Sequence, residues 1–399
     1  MSETFRGVVV AGAGPVGLVT ALKIAQAGIP VLVLDSEPDI IRWPRAVVYH
    51  APTVEMLDRL GLLDELKVAG ILKQDYQFRT IDGKILAAPS MSVLTSEDTA
   101  YPYNLHMPQH ELARVILKNL LAIPGAHVRW NTRVTGLTQD ADGVTLTIES
   151  NGGSDELRCD WLVGADGGSS TVRRALGLSF DGYTHPERLV STNLVYDFEA
   201  RGYARANFII DPVHWAVIVK VDRHGLWRVT YGEDAGLPED SIAARIAEHY
   251  KHLLPDDGHY ELEAFSPFRV HERCAESFRV GRVLLAGDAA HVCNPFGGLG
   301  LTSGLLDGGL LGDALPAVIK ETADDNLLDR YSNERRRVFL EVTGPTAREN
   351  KRRMTEADPG RKKADFERLQ QLHNDTQFQR TALTMTYKLV GNPIGIPNQ

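Results

Sequence analysis

Gly12-Ala13-Gly14-Pro15-Val16-Gly17 follows directly on the apolar run Val8-Val9-Val10-Ala11, and this junction constrains the fold more than any other stretch of the chain. A first glycine permits a tight turn, a second lets backbone approach a pyrophosphate, and a third lets a helix pack against the strand it follows. Residues 6–35 accordingly read as strand, glycine turn, helix and strand, a βαβ unit. The amides opening that helix, beside Pro15 and Val16, would face phosphates. The second strand, Val31-Leu32-Val33-Leu34, ends in Asp35 and Ser36, where a carboxylate about 20 residues beyond the glycines can hold ribose hydroxyls. The pattern predicts a dinucleotide site and leaves NAD and FAD equally open.

Two more glycine-marked segments follow: Gly164-Ala165-Asp166-Gly167 leading to Arg173, and Leu284–His291 continuing into Pro295-Phe296-Gly297-Gly298-Leu299-Gly300-Leu301. Composition narrows the remaining classes. A net charge of −9 over 399 residues argues against a nucleic-acid partner. Arg335-Arg336-Arg337 reads as a solvated helix face. Cys159, Cys274 and Cys293 are widely spaced, which argues against structural zinc or a disulfide framework and suits a reducing compartment. The N-terminus runs straight into a strand, leaving no room for a signal peptide, and no apolar run reaches the roughly 18 residues of a membrane span. A cytoplasmic enzyme is expected.

Helical patterns appear near 52–69 and 109–121, and Asp82-Gly83 and Asp142-Gly143 sit between strand-like runs as hairpin turns. From 189 to 231 the texture changes to successive strand-like runs (Leu189–Tyr196, Ala206–Ile210, Trp215–Val221, Trp227–Tyr231), with another at 260–270; these suit an antiparallel sheet. Residues 281–286 return to a buried parallel-type strand, and the chain after 299 looks helical. The expected organisation is therefore discontinuous: a nucleotide-binding part at 1–75, 101–180 and 273–345, an inserted sheet at 76–100 and 181–272, and a helical segment at 346–399.

Gly164–Arg174 (GADGGSSTVRR) and Leu284–Gly300 (LLAGDAAHVCNPFGGLG) resemble the two downstream motifs of the single-component flavin monooxygenases of the para-hydroxybenzoate hydroxylase type. The segment from Arg45 to Thr53 is similar to that family's arginine-bearing loop, and Gln109 matches another of its positions. The resemblance covers about residues 6–320 and is nearest to the branch acting on phenols and aromatic polyketides, without the thioredoxin-like C-terminal extension. It implies an α/β fold with a Rossmann-like FAD domain of the glutathione-reductase type, an inserted antiparallel β-sheet substrate domain and C-terminal helices. It also implies that NAD(P)H reduces the flavin and leaves, that O2 adds at flavin C4a, and that the hydroperoxide passes OH to an electron-rich ring. No second nucleotide loop in strand–turn–helix context occurs, as that scheme requires.

Residue by residue, the resemblance assigns Asp35 to the adenosine ribose and Arg45 and Gln109 to the ribityl or pyrophosphate region. Asp288, after Gly287, would accept from a ribityl hydroxyl. Val134, the Asp166-Gly167 turn and Arg173 would support FAD, Arg173 and that turn also NAD(P)H. Pro295, Gly297 and Gly298 would line the flavin ring. A helix opening near Leu299-Gly300-Leu301 would aim amides at the N1/C2 side of the ring. Leu299 and Thr302 stand where many relatives have Gln and Asn, Pro52 stands where the phenol branch often has Arg, and Asp307-Gly308-Gly309 is glycine-rich for a helix interior.

Ionising a phenol raises ring nucleophilicity and calls for a base. His50, His106, His214 and Tyr231 are the candidates, none of them singled out by the sequence; a lone histidine is more often a hydrogen-bonded structural residue, and aromatics at alternate strand positions more often pack a core. His291 reads equally as a cofactor contact or a strut. Arg79 could pair with a substrate carboxylate or simply rim a hairpin. A reductase, dehydrogenase or halogenase on the same scaffold, or a non-catalytic FAD-binding protein, are the competing readings; the tryptophan motif WxWxIP of the halogenases is lacking. Metal is not expected, an aromatic small molecule and O2 are, and a homodimer is left open.

Overall fold

The computed structural model describes residues 3–150, 152–256 and 258–397. Its first sheet is mainly parallel, in the spatial order Val283–Leu285, Gly153–Gly164, Glu3–Ala11, Val31–Leu34, Ala126–Arg129. Arg279–Val280 lies antiparallel on the outer edge, and the hairpin of Thr132–Gln139 and Val144–Ser150 pairs antiparallel with Gly153–Gly164. Val8–Val10, Val31–Leu34 and Val283–Leu285 are all buried. Such unbroken apolar strands need cover on both faces, which a parallel sheet with crossover helices provides.

The register explains why three distant glycine segments converge. Ala11 pairs with both Leu34 and Gly164, and Gly164 pairs with Leu285. All three segments therefore leave the carboxyl edge of one sheet from neighbouring strands, where open α/β folds bind their ligands.

The second sheet runs His291–Val292, Glu261–Ala275, Phe180–Val195, Leu226–Asp234, Ala216–Lys220, Ala206–Ile210, Gln77–Thr80, Ile85–Ala87. It is antiparallel as expected except at one seam, where Ala206–Ile210 and Gln77–Thr80 pair in parallel. That exception brings the separate segment around residue 80 onto the inserted sheet. Helix Ile242–Leu253 covers its outer face, packing Ile246 and Tyr250 against Ile218, Trp227, Val229 and Tyr231. Its inner face presents Phe208, Val217, Val219, Arg228 and Thr230 towards the first sheet, as the strand pairings require. A small sheet of Val48–Tyr49, Asn104–His106 and Ile71–Lys73 stands between them.

Helices Leu299–Ile319, Asn326–Val338, Gly344–Met354, Pro359–Asn374 and Thr376–Leu383 close the chain. The glycines in the first of these are explained by its neighbour, helix Pro15–Gln26. A Cβ on Gly308 would lie 2.7 Å from Thr20 Oγ1 and 2.9 Å from the Val16 carbonyl, and one on Gly304 would lie 3.1 Å from Gly287 Cα. Each glycine costs about 1 kcal/mol of helix propensity against alanine; what it allows is direct backbone contact between the helices that follow the first and third motifs. No helix among the described residues is long and apolar enough to cross a membrane.

Candidate active site

A cleft of about 420 Å³ opens at the shared carboxyl edge, lined by Gly12, Gly14, Pro15, Asp35, Ser36, Arg45, Gln109, Val134, Asp166 and Gly167. Gly12 has φ +107°, and a Cβ there would fall 2.3 Å from the Ala165 carbonyl oxygen; a Cβ on Gly17 would fall 2.0 Å from that of Gly12. Gly14, in contrast, faces open space. Its helix, Pro15–Gln26, has no side-chain cap, so the first-turn amides remain free to meet an anion. The loop is held from behind, where Asp35 Oδ2 accepts from the Ala13 amide at 2.6 Å.

Asp166 accepts from Ser170 Oγ at 2.5 Å and from the amides of Thr171 and Val172 at 2.7 and 3.1 Å, so its carboxylate caps the short helix Thr171–Ala175. Arg173 is buried and turned inward, donating to the carbonyls of Ala289 (2.7 Å) and Gly168 (2.8 Å) with its guanidinium over the Phe180 ring. It ties the second motif to the third, while Arg174 rims the cleft in its place.

Asp288 projects from the turn Gly287–Ala289 and is exposed although protein surrounds it on most sides. That partial desolvation pushes its carboxyl above the usual range, against the pull of His291 and Arg45. Beneath it lies a buried network that the motifs do not announce. Asp307 accepts from the Gly287 amide (3.1 Å) and His291 Nε2 (2.6 Å) on one oxygen, and from Arg335 Nε (2.6 Å) on the other. Burial works against the Asp307 carboxylate, but His291 and Arg335 outweigh it and hold the group below its usual range. Arg335 also donates to the carbonyls of Leu389 and Val390, so the C-terminal segment is tied to the same point. His291, stacked on Phe339, is a strut.

Gly298 opens helix Leu299–Ile319 in the left-handed conformation (φ +67°), and that terminus too has no side-chain cap. Its first amides, around Gly300 and Leu301, are thus available to a ring seated beside Pro295; Leu299 itself is buried, and Val16 packs on Gly287 and Gly304. Uncapped helix starts, a loop that only glycine can make and the open side at Gly14 fit a dinucleotide lying from Asp35 to Gly298.

His50 touches the loop that precedes this helix. Its Nε2 lies 2.7 Å from the Gly297 carbonyl, which can only accept, so Nε2 carries the proton; Nδ1 then accepts from Asn104 Nδ2 at 3.1 Å. Burial lowers its pKa to about 4, leaving a neutral ring committed on both sides. Trp215 packs tilted against Phe296 at 4.7 Å and Phe208 stacks on Phe78 at 4.9 Å, forming aromatic walls between the Gly297–Gly298 loop and the inner sheet face. His106 is buried, with Nδ1 on the Lys220 carbonyl. His214 and Tyr231 are not brought here. Tyr231 lies under helix Ile242–Leu253, stacked on His249 at 3.8 Å, and His214 stacks on His252 at 4.4 Å. Arg79 is not a rim residue: it is buried, its guanidinium 3.9 Å over the Tyr203 ring, with Nε and Nη1 making no hydrogen bond.

A family profile described as an FAD binding domain matches residues 6–344. The para-nitrophenol 4-monooxygenase of Pseudomonas sp. strain WBC-3 is 48% identical over 395 residues, 98% of each chain. This chain belongs to the single-component FAD-dependent aromatic hydroxylases of the para-hydroxybenzoate hydroxylase type. The 6-hydroxy-3-succinoylpyridine 3-monooxygenase of Pseudomonas putida strain S16 is 40% identical, covering 90% of this chain and 91% of that one. Among solved structures, a p-nitrophenol 4-monooxygenase from Pseudomonas putida DLL-E4 superposes with a TM-score of 0.95 at 46% identity over 98% of this chain and 100% of that one. An aklavinone-11 hydroxylase solved with FAD and aklavinone gives 0.79 at 28% identity, covering 90% of this hydroxylase and 70% of its own chain. The hydroxylase is thus an FAD-dependent aromatic monooxygenase, with NAD(P)H as the reductant of its class.

Proposed function

We propose that this hydroxylase oxygenates a small phenol with a para electron-withdrawing substituent, of the para-nitrophenol kind, using O2 and NAD(P)H. The observation that carries the reading is the seam beside Gly297 and Gly298. Trp215, Phe296, Phe208 and Val217 pack closely there, which suits one aromatic ring, and His50 fixes the carbonyl that positions the loop. Near-full-length identity to a para-nitrophenol 4-monooxygenase points to the same substrate class.

Bound FAD would supply the oxygen-transferring chemistry; the chain supplies geometry and charge. Asp35, Arg45, Gln109 and the Gly12–Gly17 loop would hold its adenosine and pyrophosphate, Asp288 a ribityl hydroxyl, and the amides at Gly298–Leu301 the carbonyl side of the ring. The division of labour follows the discontinuous plan: residues 1–75, 101–180 and 273–345 bed the cofactor, 76–100 and 181–272 close over the substrate, and 346–399 brace both from behind.

Arg228 favours a second reading. It is buried, donates twice to Asn193 Oδ1 at 3.0 and 2.8 Å, and has no carboxylate partner among the described residues. An aromatic acid would supply one, as in the hydroxypyridine carrying a succinoyl group that names the second relative. Substrate-dependent NAD(P)H oxidation across nitrophenols, plain phenols and aromatic acids decides between them. Stimulation by para-nitrophenol above the acids is the expected result; stimulation by the acids alone would transfer the assignment to the second reading, and stimulation by none would remove both.

A further inference from the structure

A phenol must lose its proton to become the stronger nucleophile, and three of the four candidates from the sequence are not placed to take it. His50 is committed on both nitrogens, and His214 and Tyr231 lie under the outer helix. We propose that Lys73, which no motif marks, accepts the proton of the phenolic substrate; this rests on the phenol reading above.

Lys73 ends strand Ile71–Lys73 and pairs with Asn104, while Ile71 and Val48 pair with His106. The register sets Lys73, Asn104 and His106 on one face of the small sheet, with His50 at its end. That face meets the inner side of the second sheet: His106 Nδ1 donates to the Lys220 carbonyl at 3.1 Å, and Val48 and Tyr76 pack with Val217 and Val219. The other end of the face touches the loop of Gly297 and Gly298 through His50. The face thus lies between the Gly297–Gly298 loop and the inner side of the second sheet, where the phenol reading seats the substrate ring.

The wall is short of partners. Lys73 is 0% exposed and its Nζ makes no hydrogen bond, resting instead over the Tyr76 ring. His106 Nε2 is also buried without a partner. The charged groups around them are mostly basic. His50 and His106 share the face; Arg205 and Lys220 approach from the second sheet, both paired to Glu199; Asp75, the nearest acid, is exposed. A lone ammonium in such a place is costly, and burial lowers the proton affinity of the amine well below its ordinary value. A neutral amine is a base with a free lone pair. His106 is a much weaker one, held down to about 3 by burial, and the Tyr76 hydroxyl is pushed the opposite way. Of the basic groups on this wall, the Lys73 amine starts from the highest intrinsic proton affinity. In that step the phenol O–H bond breaks, an N–H bond forms on Nζ, and no electrons are exchanged with any oxidant. The products, phenolate and ammonium, are each other's missing partner, which is why the charge can appear there only when substrate does.

The test uses the oxidised, FAD-loaded enzyme without reductant and para-nitrophenol as a coloured probe. The difference spectrum of the bound phenolate, followed against pH, gives the ionisation midpoint of the bound ligand. Wild-type enzyme is expected to hold it at least one pH unit below that of the free phenol, a tenfold shift. Lys73→Met and Lys73→Gln should still retain FAD and bind the probe, with the midpoint returned towards the free value. Lys73→Arg, a permanent cation, should keep the bound ligand ionised throughout the range. A midpoint unchanged in both neutral variants, with the probe bound, overturns the role of Lys73 and leaves the substrate reading standing. Failure of the wild-type enzyme to bind any phenol overturns both.

Discussion

Under the Gly287 turn, the buried Asp307 carboxylate accepts from an amide, an imidazole and a guanidinium; across the seam, the buried Lys73 Nζ and His106 Nε2 have no partner. The cofactor side is finished before its ligand arrives, and the substrate side is not. A bed for a molecule that stays bound gains from rigidity, because nothing need reorganise on each turnover. A wall that must stabilise charge only while substrate is present gains from polar groups left waiting, at some cost to the empty protein.

The contrast can be broken most severely at its satisfied end. Asp307→Leu removes the acid paired with fully buried Arg335. It should cost roughly 3–5 kcal/mol of stability by chemical denaturation, with loss of FAD; a loss under about 1 kcal/mol would mean that the network is not what holds the turn. Next in size, Asp288→Ala should weaken FAD retention about tenfold or more, the worth of one charge-assisted hydrogen bond of about 1.5–3 kcal/mol. Dialysis against excess apo-acceptor measures it, and full retention would remove the ribityl role.

At the unsatisfied end the expected sign reverses. Lys73→Met should stabilise the ligand-free enzyme, by about 1 kcal/mol near neutral pH. Lys73 binds its proton less tightly folded than unfolded, so unfolding takes one up. Stability of the wild-type chain therefore rises with pH towards the unfolded value near 10.5, by up to about 1.4 kcal/mol per unit, and the variant should lack that slope. Parallel wild-type and variant curves would place a charged, solvated amine at this position.

The same division explains what could be read in advance. Gly12, Gly14 and Gly17 are legible because a turn that forbids a Cβ is a local requirement, and Asp35 follows from the length of one βαβ unit. Hairpins at Asp82-Gly83 and Asp142-Gly143 are likewise local, and both form. That Arg173 turns inward while Arg174 lines the cleft is not legible in the sequence, because the phase of a five-residue helix cannot be inferred from composition. Strand alternation does put Tyr231 on the face of Val229 and Trp227, but nothing in the strand says which face the cofactor occupies. Lys73, Asn104 and His50 meet through two- and three-residue strands, too short to show periodicity, and Asp307 meets Arg335 across 28 residues between two helices. The glycines at 304 and 308 signal a different contact, with helix Pro15–Gln26, since a helix interior tolerates them best where another backbone comes close.

Those two glycines also bear on how the protein is made. The helix carrying them docks on the helix of residues 15–26, so the first motif acquires its final support only when a segment almost three hundred residues later has been synthesised. A ribosome-bound chain that stops short of residue 299 holds the loop but not its brace, and the first sheet still lacks Val283–Leu285 until shortly before that point. The bed that the three motifs form is therefore complete only late in synthesis.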